Sequence, residues 1–519
     1  MSAALQTPPG TPPATTAPYA RRWQGLAVLG LSLLIIGIDN TILNVALPTL
    51  VRELGASGAQ LQWMVDSYVL VFAGLLLSAG ALGDRFGRKG ALTFGLVLFG
   101  ASSLLASRTN SPEQLIAVRA LMGIGGAFIM PATLSIMTNM FPPEERGRAI
   151  GIWAGIAGIG IPLGPVAGGY LLEHYHWSAI FLVNVPVVVL ALALGAVLLP
   201  TSRDPNSPRV DIPGALLSIS GIGILVWGLI EAPARGWTSG TILGAFAVSA
   251  ALQVAFAIVE MRTREPMLDM RFFKNPRFTA ANAAITLVFF AMFGSMFGMT
   301  QYLQFILGYA PLEAGVRMLP MAAGMIIGAP VSARLVEHVG TKIVVAAGLT
   351  VVAVALLLLS RVEAGTGYGW FVGCMLLMAI GMGLTMAPST EAVMGSIPRS
   401  RAGVGSAMND TTRQIGGALG VAVLGSLISS VYRGRMDEAV AGLPPTAAQA
   451  AHDSLGGALQ VAARVGPAGG PLAEVARESF LHAMAIGLRA GAAVALVGAV
   501  IALVFLPAEG VDAGLDFED

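Results

Sequence analysis

Long apolar runs alternate along the chain with short polar stretches rich in arginine. Fourteen runs stand out, near residues 24–47, 61–82, 90–107, 113–139, 148–172, 178–199, 211–231, 240–260, 278–306, 313–336, 342–361, 369–391, 402–431 and 480–505. Each approaches or exceeds the roughly 20 residues that a helix needs to cross a hydrocarbon core about 30 Å thick. Lipid offers no water to an open backbone, so such runs must close their hydrogen bonds internally, as helices. The pattern predicts an all-α integral membrane protein with 14 transmembrane helices. Residues 1–22 break the pattern: rich in Pro, Thr and Ala, with no apolar core, they are expected to form a disordered cytoplasmic tail and not a signal peptide. The longest connection, residues 432–478, is expected to be a partly ordered extracellular cap with a short helix near 446–463, and residues 507–519 an acidic cytoplasmic tail.

Composition supports this reading. Charged residues make up 11% of the 519 positions, against about 25% in a soluble domain, and the mean hydropathy is +0.75. The net charge of +1 gives no basic footprint for nucleic acid. A lone cysteine, Cys374, precludes a disulfide within the chain. No cofactor or metal site is expected, and the short cytoplasmic loops carry no nucleophile or His/Cys/acid constellation that would suggest an enzyme. The loop charges fall on alternate connections. One set holds Arg21 and Arg22, then Arg85, Arg88 and Lys89, then Arg146 and Arg148, Arg203 and Arg209, Arg262, Arg264, Arg271, Lys274 and Arg277, Arg334 and Lys342, Arg399 and Arg401. The other set holds little beyond Arg52, Arg108, Arg235 and Arg361. Positive loops stay inside, so the first set and both termini are placed in the cytoplasm. The Arg, Ala and Gly excess, with only three lysines, points to a bacterial host and its cytoplasmic (inner) membrane.

A faint internal repeat gives the organisation. GALGDRFGRKG (80–90) aligns with ARLVEHVGTKI (333–343), so that Asp84 meets Glu337, Gly87 meets Gly340 and Lys89 meets Lys342. The second copy falls eight helices after the first. A six-helix half plus two inserted helices gives that offset, and six-helix repeats around a central site are a transporter architecture. The expected units are an N-terminal bundle at 23–200, two inserted helices at 201–265 and a C-terminal bundle at 266–506.

Charges inside the spans are the candidate chemistry. IDNTILNVALP (38–48) puts Asp39 in the first span, with Asn40 and Asn44 one turn apart and Pro48 expected to end the helix. LQWMVDSYVL (61–70) places Asp66 in the second, with Trp63 and Tyr68 read as interface aromatics, and LIAVRALMG (115–123) places Arg119 in the fourth. Each charge costs at least a few kcal/mol in lipid unless it is compensated. Counted from the outer ends the three share one slab, so they are expected to converge on an internal, intermittently wet cavity. Arg119 also reads as a structural ion-pair partner. SAMNDTTRQIGGALG (406–420) carries Asp410 and Arg413, three apart on one helical face, followed by Gln414. They either neutralise each other or line the cavity in the second half. Met292, Met296, Met299 and Met325 suit a promiscuous site or a lipid-facing surface.

Two motifs carry glycine at fixed spacing. In GALGDRFGRKG, Gly80 and Gly87 permit close approach and a tight turn, Asp84 can cap a neighbouring helix, and Arg85, Arg88 and Lys89 can pair across the loop. In GIGIPLGPVAGG (158–169), Gly160, Gly164 and Gly168 with Pro165 and Gly169 form a ladder for backbone-close packing. Both, with the first- and fourth-span motifs in the same order, resemble the fourteen-helix drug:proton antiporter branch of the major facilitator superfamily. The resemblance implies two six-helix bundles plus two inserted helices, alternating access, and proton-driven export of amphipathic drugs or antibiotics, cations among them, by a monomer. It implies proton coupling through Asp39, Arg119 and Asp66; a substrate cavity with Asn40, Asn44, Asp66, Asp410, Arg413 and Gln414; a conformational latch at Gly80–Lys89; and helix packing at Gly160–Gly169. Some relatives carry an acid where this chain has Gln414, a departure that argues against strongly dicationic cargo. The alternative cargo on the same fold is one endogenous natural product, siderophore or lipid.

Overall fold

The computed structural model describes residues 21–507 except 55–57, 203–210, 264–265, 267 and 399–400. Both expected tails (apart from residues 21, 22 and 507), the loop residues Arg203, Arg209, Arg264 and Arg399, and the Asn44 side chain lie outside the described residues. The rest is helix and connection, with no strand among the described residues.

Six helices form the first bundle: α1 (Arg22–Leu54), α2 (Gly58–Phe86), α3 (Arg88–Ala106), α4 (Pro112–Met140), α5 (Pro143–His174) and α6 (Asn184–Leu198). The inserted pair follows as α7 (Ile212–Arg235) and α8 (Gly240–Arg262), and then α9 (Pro276–Gln301) opens the second bundle. Leu319–Leu359 is one continuous helix broken by a kink at Gly340, which divides it into α10 (319–339) and α11 (341–359). The remaining spans are α12 (Tyr368–Gly395), α13 (Ala402–Val440) and α14 (Gly470–Phe505). Among the described residues, thirteen helical stretches are long and apolar enough to cross a bilayer; one of them, the 48-residue Leu312–Leu359, contains two crossings, which gives fourteen. Side chains fix several helix starts: Ser111, Asp211, Ser239 and Asn275 each accept a hydrogen bond from a backbone N–H of the first turn of α4, α7, α8 and α9.

Gly87 and Gly340 are the joints of the repeat. Their φ angles are +112° and +80°, a region where a Cβ is strained, so glycine is required at the turn in both halves. The end of the molecule that holds these two turns, with Arg88, Lys89 and Arg146, is the basic end.

α5 is the hub between the bundles. One face meets α1: a Cβ on Gly160 would lie 2.8 Å from Gly37 Cα, and one on Gly164 would meet the Thr41 hydroxyl and lie 2.8 Å from the Ile38 carbonyl. Gly168 sits against Ile42. The other face meets the second bundle. There a Cβ on Gly151 would lie 3.1 Å from the Ala329 carbonyl, and one on Gly169 would lie 2.6 Å from Leu312. Pro165 packs on Gly315, and Gly158 faces Met325. Dispersion and close backbone approach, not a hydrophobic drive, hold helices together in lipid, and small residues permit both. The inserted pair packs through α7 on both α2 and α13, touching each bundle. Trp237 Nε1, in the turn between α7 and α8, donates to Ser426 Oγ of α13 at 3.0 Å.

Three expectations at helix ends are corrected. α1 does not stop at Pro48 but continues to Leu54, since one missing N–H is tolerated where neighbouring helices support the backbone. α13 runs to Val440 and α14 starts at Gly470, so the connection is far shorter than 432–478. What remains is two helices, Pro445–Asp453 and Leu455–Val465, where a single one was expected. They are tied back by Tyr432 Oη, which donates to the Ala451 carbonyl at 3.1 Å.

The packing of α5 on α1 makes a direct prediction. Gly160→Val forces the two backbones apart, and overpacking of this kind costs about 1–3 kcal/mol. The thermal unfolding midpoint in detergent is expected to fall well below that of Gly244→Val, whose Cβ would meet nothing within 4 Å.

Candidate functional site

The first bundle buries an ion pair near the middle of α1. Asp39 lies 15 residues before the end of α1, about 22 Å by helical rise, deeper than a helix ending at Pro48 implies. Arg119 of α4 reaches it: Nη1 donates to Asp39 Oδ2 at 2.5 Å, and the two residues are 2% and 0% exposed. Nη1 also lies 3.9 Å from Met122 Sδ of α4, and two further groups around the guanidinium come from α2. Nε donates to the Met64 carbonyl at 3.1 Å, and Cζ sits 4.5 Å from the centre of the Tyr68 ring. A cation over an aromatic face is attracted by the ring quadrupole. On the far side of the carboxylate, Asn184 Nδ2 of α6 donates to Asp39 Oδ1 at 3.4 Å and to Ser103 Oγ of α3 at 3.2 Å. Five helices of one bundle therefore converge on one carboxylate and one guanidinium.

Of the three charges expected to meet here, the structure brings two into contact. Met64 and Tyr68 lie one turn apart and turn α2 toward Arg119, while Asp66, two residues from each, projects from roughly the opposite side at 100° per residue. Asp66 is half-buried and has a partner of its own. Asn40 is half-buried beside Asp39. Tyr68 is not an interface aromatic: it is buried against Arg119, with its ring stacked on Phe72, whereas Trp63 is exposed. Sequence reasoning missed Asn184 and Ser103 because a single polar residue in an apolar helix gives no signal of its partner.

A second pair lies in the other bundle. Asp410 Oδ1 and Arg413 Nη1 are 3.7 Å apart on α13, both fully buried. Arg413 Nη2 donates to Thr390 Oγ1 of α12 at 3.0 Å. Its guanidinium lies 4.8 Å from the ring centre of Trp153 on α5 and 5.5 Å from that of Phe289 on α9. Arg413 thus bridges the bundles through Trp153. Gln414, the next residue, is half-buried.

The basic end carries a third arrangement. Asp84 Oδ1 and Oδ2 accept the backbone N–H groups of Gly403 and Val404 at 2.9 and 3.1 Å, so a carboxylate of α2 caps the first turn of α13 in the other bundle. Arg88 Nε holds the same carboxylate at 2.7 Å. Gly80 of α2 and Gly403 of α13 meet backbone to backbone. Lys89 Nζ donates to the carbonyls of Ala196 and Leu199 at 2.8 and 2.9 Å, which places a cation at the C-terminal end of α6. Arg85 lies over the neighbouring Phe86 ring. The two copies of the repeat differ here: Glu337, the counterpart of Asp84, is exposed.

No group of three or more His, Cys, Asp or Glu side chains that could hold a metal ion occurs among the described residues. The chemistry on hand is that of buried carboxylates paired to arginines within lipid thickness.

A sequence profile described as Major Facilitator Superfamily matches residues 29–421. The tetracenomycin C resistance and export protein of Streptomyces glaucescens is 34% identical over 508 residues, covering 94% of this chain and 92% of that one. The multidrug efflux pump LfrA of Mycolicibacterium smegmatis is 37% identical over 455 residues, covering 88% and 90%. The methyl viologen resistance protein SmvA of Salmonella typhimurium is 34% identical over 488 residues, covering 92% and 97%. Among solved structures, the human organic anion transporter MFSD10 superposes with a TM-score of 0.59 at 16% identity, covering 95% of this chain and all of that one, a likeness of fold alone. The chain belongs to the Major Facilitator Superfamily, and it is a multi-pass membrane transporter.

The buried pair predicts an asymmetry in stability. Removing one member of a buried pair strands the other and costs roughly 3–5 kcal/mol, while neutralising both costs less. Arg119→Met is expected to lower the unfolding midpoint at neutral pH, and the double variant Asp39→Asn/Arg119→Met to recover most of the loss. A double variant no more stable than Arg119→Met would show that the two groups are not coupled.

Proposed function

We propose that this chain exports small amphipathic drugs or antibiotics across the bacterial cytoplasmic membrane in exchange for protons. The observation that carries the reading is the Asp39–Arg119 pair, buried and flanked by the Met64 carbonyl and Tyr68 ring of α2 and by Asn184 of α6, which Ser103 of α3 holds in turn. A carboxylate in such a place changes its charge only by taking up a proton, and its arginine partner keeps its charge throughout. The superfamily membership and the export and resistance names of the relatives support the cargo class. In this reading the basic end faces the cytoplasm with both termini, and the monomer is the working unit.

The mechanism follows from the contacts. With Asp39 ionised, Arg119 is held between α1 and the Met64–Tyr68 face of α2. Protonation removes the charge that holds Nη1, and Arg119 is left to the Met64 carbonyl and the Tyr68 ring. α1 is then free to shift against α5, its backbone-close neighbour through Gly37–Gly160. α5 also contacts the second bundle, so its movement changes the seam between bundles. At the basic end, the Asp84 cap on α13 and the Gly80–Gly403 contact are the latch that closes the cytoplasmic side. A proton moving inward gains about 2.3 kcal/mol per 100 mV of potential. A pH gradient adds about 1.36 kcal/mol per unit.

Proteoliposomes test this. Asp39→Asn is expected to fold and to bind cargo but to lose transport driven by a pH gradient. Undiminished gradient-driven transport in Asp39→Asn sinks the assignment. Asp66→Asn is expected to weaken export of cationic dyes more than of neutral ones, because Asp66 stands apart from the pair; equal effects on both count against charge recognition there. Asp84→Asn removes the charge that caps α13. Spin labels at the exposed positions Phe86 and Glu337 are then expected to report a wider basic end, and unchanged distances would remove Asp84 from the latch.

A further inference from the structure

The stretch HWSAIFLVNVP (176–186) leads into α6, and the export reading leaves it without a role. Trp177 and Phe181 are buried with their rings edge to face, 6.4 Å apart, and a single turn at Ala179–Leu182 delivers the chain to Asn184, the first residue of α6. Pro186 falls in the first turn, where a missing N–H costs no helical hydrogen bond. Asn184 is 3% exposed, in a helix with no charged residue. Its Nδ2 donates to Asp39 Oδ1 at 3.4 Å and to Ser103 Oγ of α3 at 3.2 Å. A glycine lets α3 come this close: a Cβ on Gly100 would lie 2.9 Å from Val188 Cγ1, one turn along α6. Gly100 and Ser103, three residues apart, share that face of α3.

We propose that Asn184, steadied by Ser103, is a positioning residue that bonds Asp39 in both of its charge states. The proposal rests on proton exchange at Asp39 and names the group that keeps the carboxyl in place once Arg119 lets go. A guanidinium donates and never accepts, so Arg119 serves the ionised carboxylate alone. The neutral acid carries an O–H, and a buried O–H without an acceptor is costly. A primary amide offers both kinds of group, two N–H donors on one branch and a carbonyl oxygen on the other. In the structure Asn184 donates, which suits the ionised form. A half-turn of its terminal torsion, whose profile is broad and roughly two-fold, presents Oδ1 to the protonated acid instead. Ser103 suits either orientation, since its hydroxyl accepts from Nδ2 in one and donates to Oδ1 in the other. The charged and titratable groups that face Asp39 are Arg119 of α4 and Tyr68 of α2. Asp66 leaves α2 on roughly the opposite side, α3 and α5 carry ionisable side chains only near their ends, and α6 carries none. On protonation, therefore, the tie that breaks joins α1 to α4, while α1 stays with α6 and, through Ser103, with α3.

Infrared difference spectra between acid and alkaline pH, on purified protein in detergent, test this. Protonated Asp39 gives a carboxylic C=O band that Asp39→Asn lacks. Asn184→Leu, close in size and without a polar side-chain atom, is expected to move that band to higher wavenumber, because the acid loses its acceptor. Ser103→Ala is expected to move it the same way by less, and Ser103→Thr, which keeps the hydroxyl, to leave it at the native position. The two serine variants change little volume, so the test stands even where Asn184→Leu does not fold. A band unmoved by Asn184→Leu, or by Ser103→Ala where that variant alone folds, overturns the proposal and leaves the export reading standing. An unmoved band together with a higher pH midpoint of protonation marks Asn184 as a donor to the ionised form alone, which also overturns it. A native chain with no band that Asp39→Asn removes overturns the export reading and the proposal together.

Discussion

A carboxylate and a guanidinium cannot stay charged within lipid thickness unless each answers the other. That constraint organises the first bundle. Asp39 and Arg119 meet on α1 and α4, and each has further contacts from other helices: Asn184 on α6 for the carboxylate, the Met64 carbonyl and the Tyr68 ring on α2 for the guanidinium. Whether Asp39 carries a proton or holds Arg119 is then not a choice between two roles. In the proposed mechanism, holding Arg119 is what the ionised form does, and ceasing to hold it is the consequence of protonation. The energy at stake, several kcal/mol for a stranded partner, is of the size that the proton gradient supplies.

In the proposed mechanism, the glycines of α5 convert this local change into a movement between bundles. Close backbone contact transmits displacement because no flexible side chain absorbs it. Gly160 and Gly164 fit α1 beside Asp39, while Gly151, Gly158 and Gly169 fit the second bundle. The Asp84 cap on α13 adds a polar tie at the basic end, where a few hydrogen bonds can be exchanged for water as the bundles part. The methionines Met292, Met296, Met318, Met321, Met325 and Met382 line a small space between α5 and α9, α10 and α12.

Much of this was legible in the sequence, for stated reasons. Fourteen apolar runs of spanning length define the fold, because lipid allows few alternatives. The aligned Gly87 and Gly340 reveal the repeat, because both sit at φ values that demand glycine. Counting residues put Asp39 and Arg119 at comparable depth, but depth says nothing of azimuth. It could not separate Asp66, two residues from Met64 and Tyr68, from the face that holds Arg119. Partners contributed singly by distant helices, Asn184 and Ser103 among them, carry no pattern in the chain. The ends of α1, α13 and α14 were misjudged because Pro48 and the Ala- and Gly-rich stretches suggest breaks that tertiary contacts override.

Proton release on cargo binding tests the central claim most directly. Purified protein in weakly buffered detergent solution, over a series of pH values, is mixed with ethidium while a pH-indicator dye is read. If cargo binds best when Asp39 is ionised and holding Arg119, ethidium displaces protons from the native chain and from Asp39→Glu, but none from Asp39→Asn at equal occupancy. Equal release from Asp39→Asn would contradict the account.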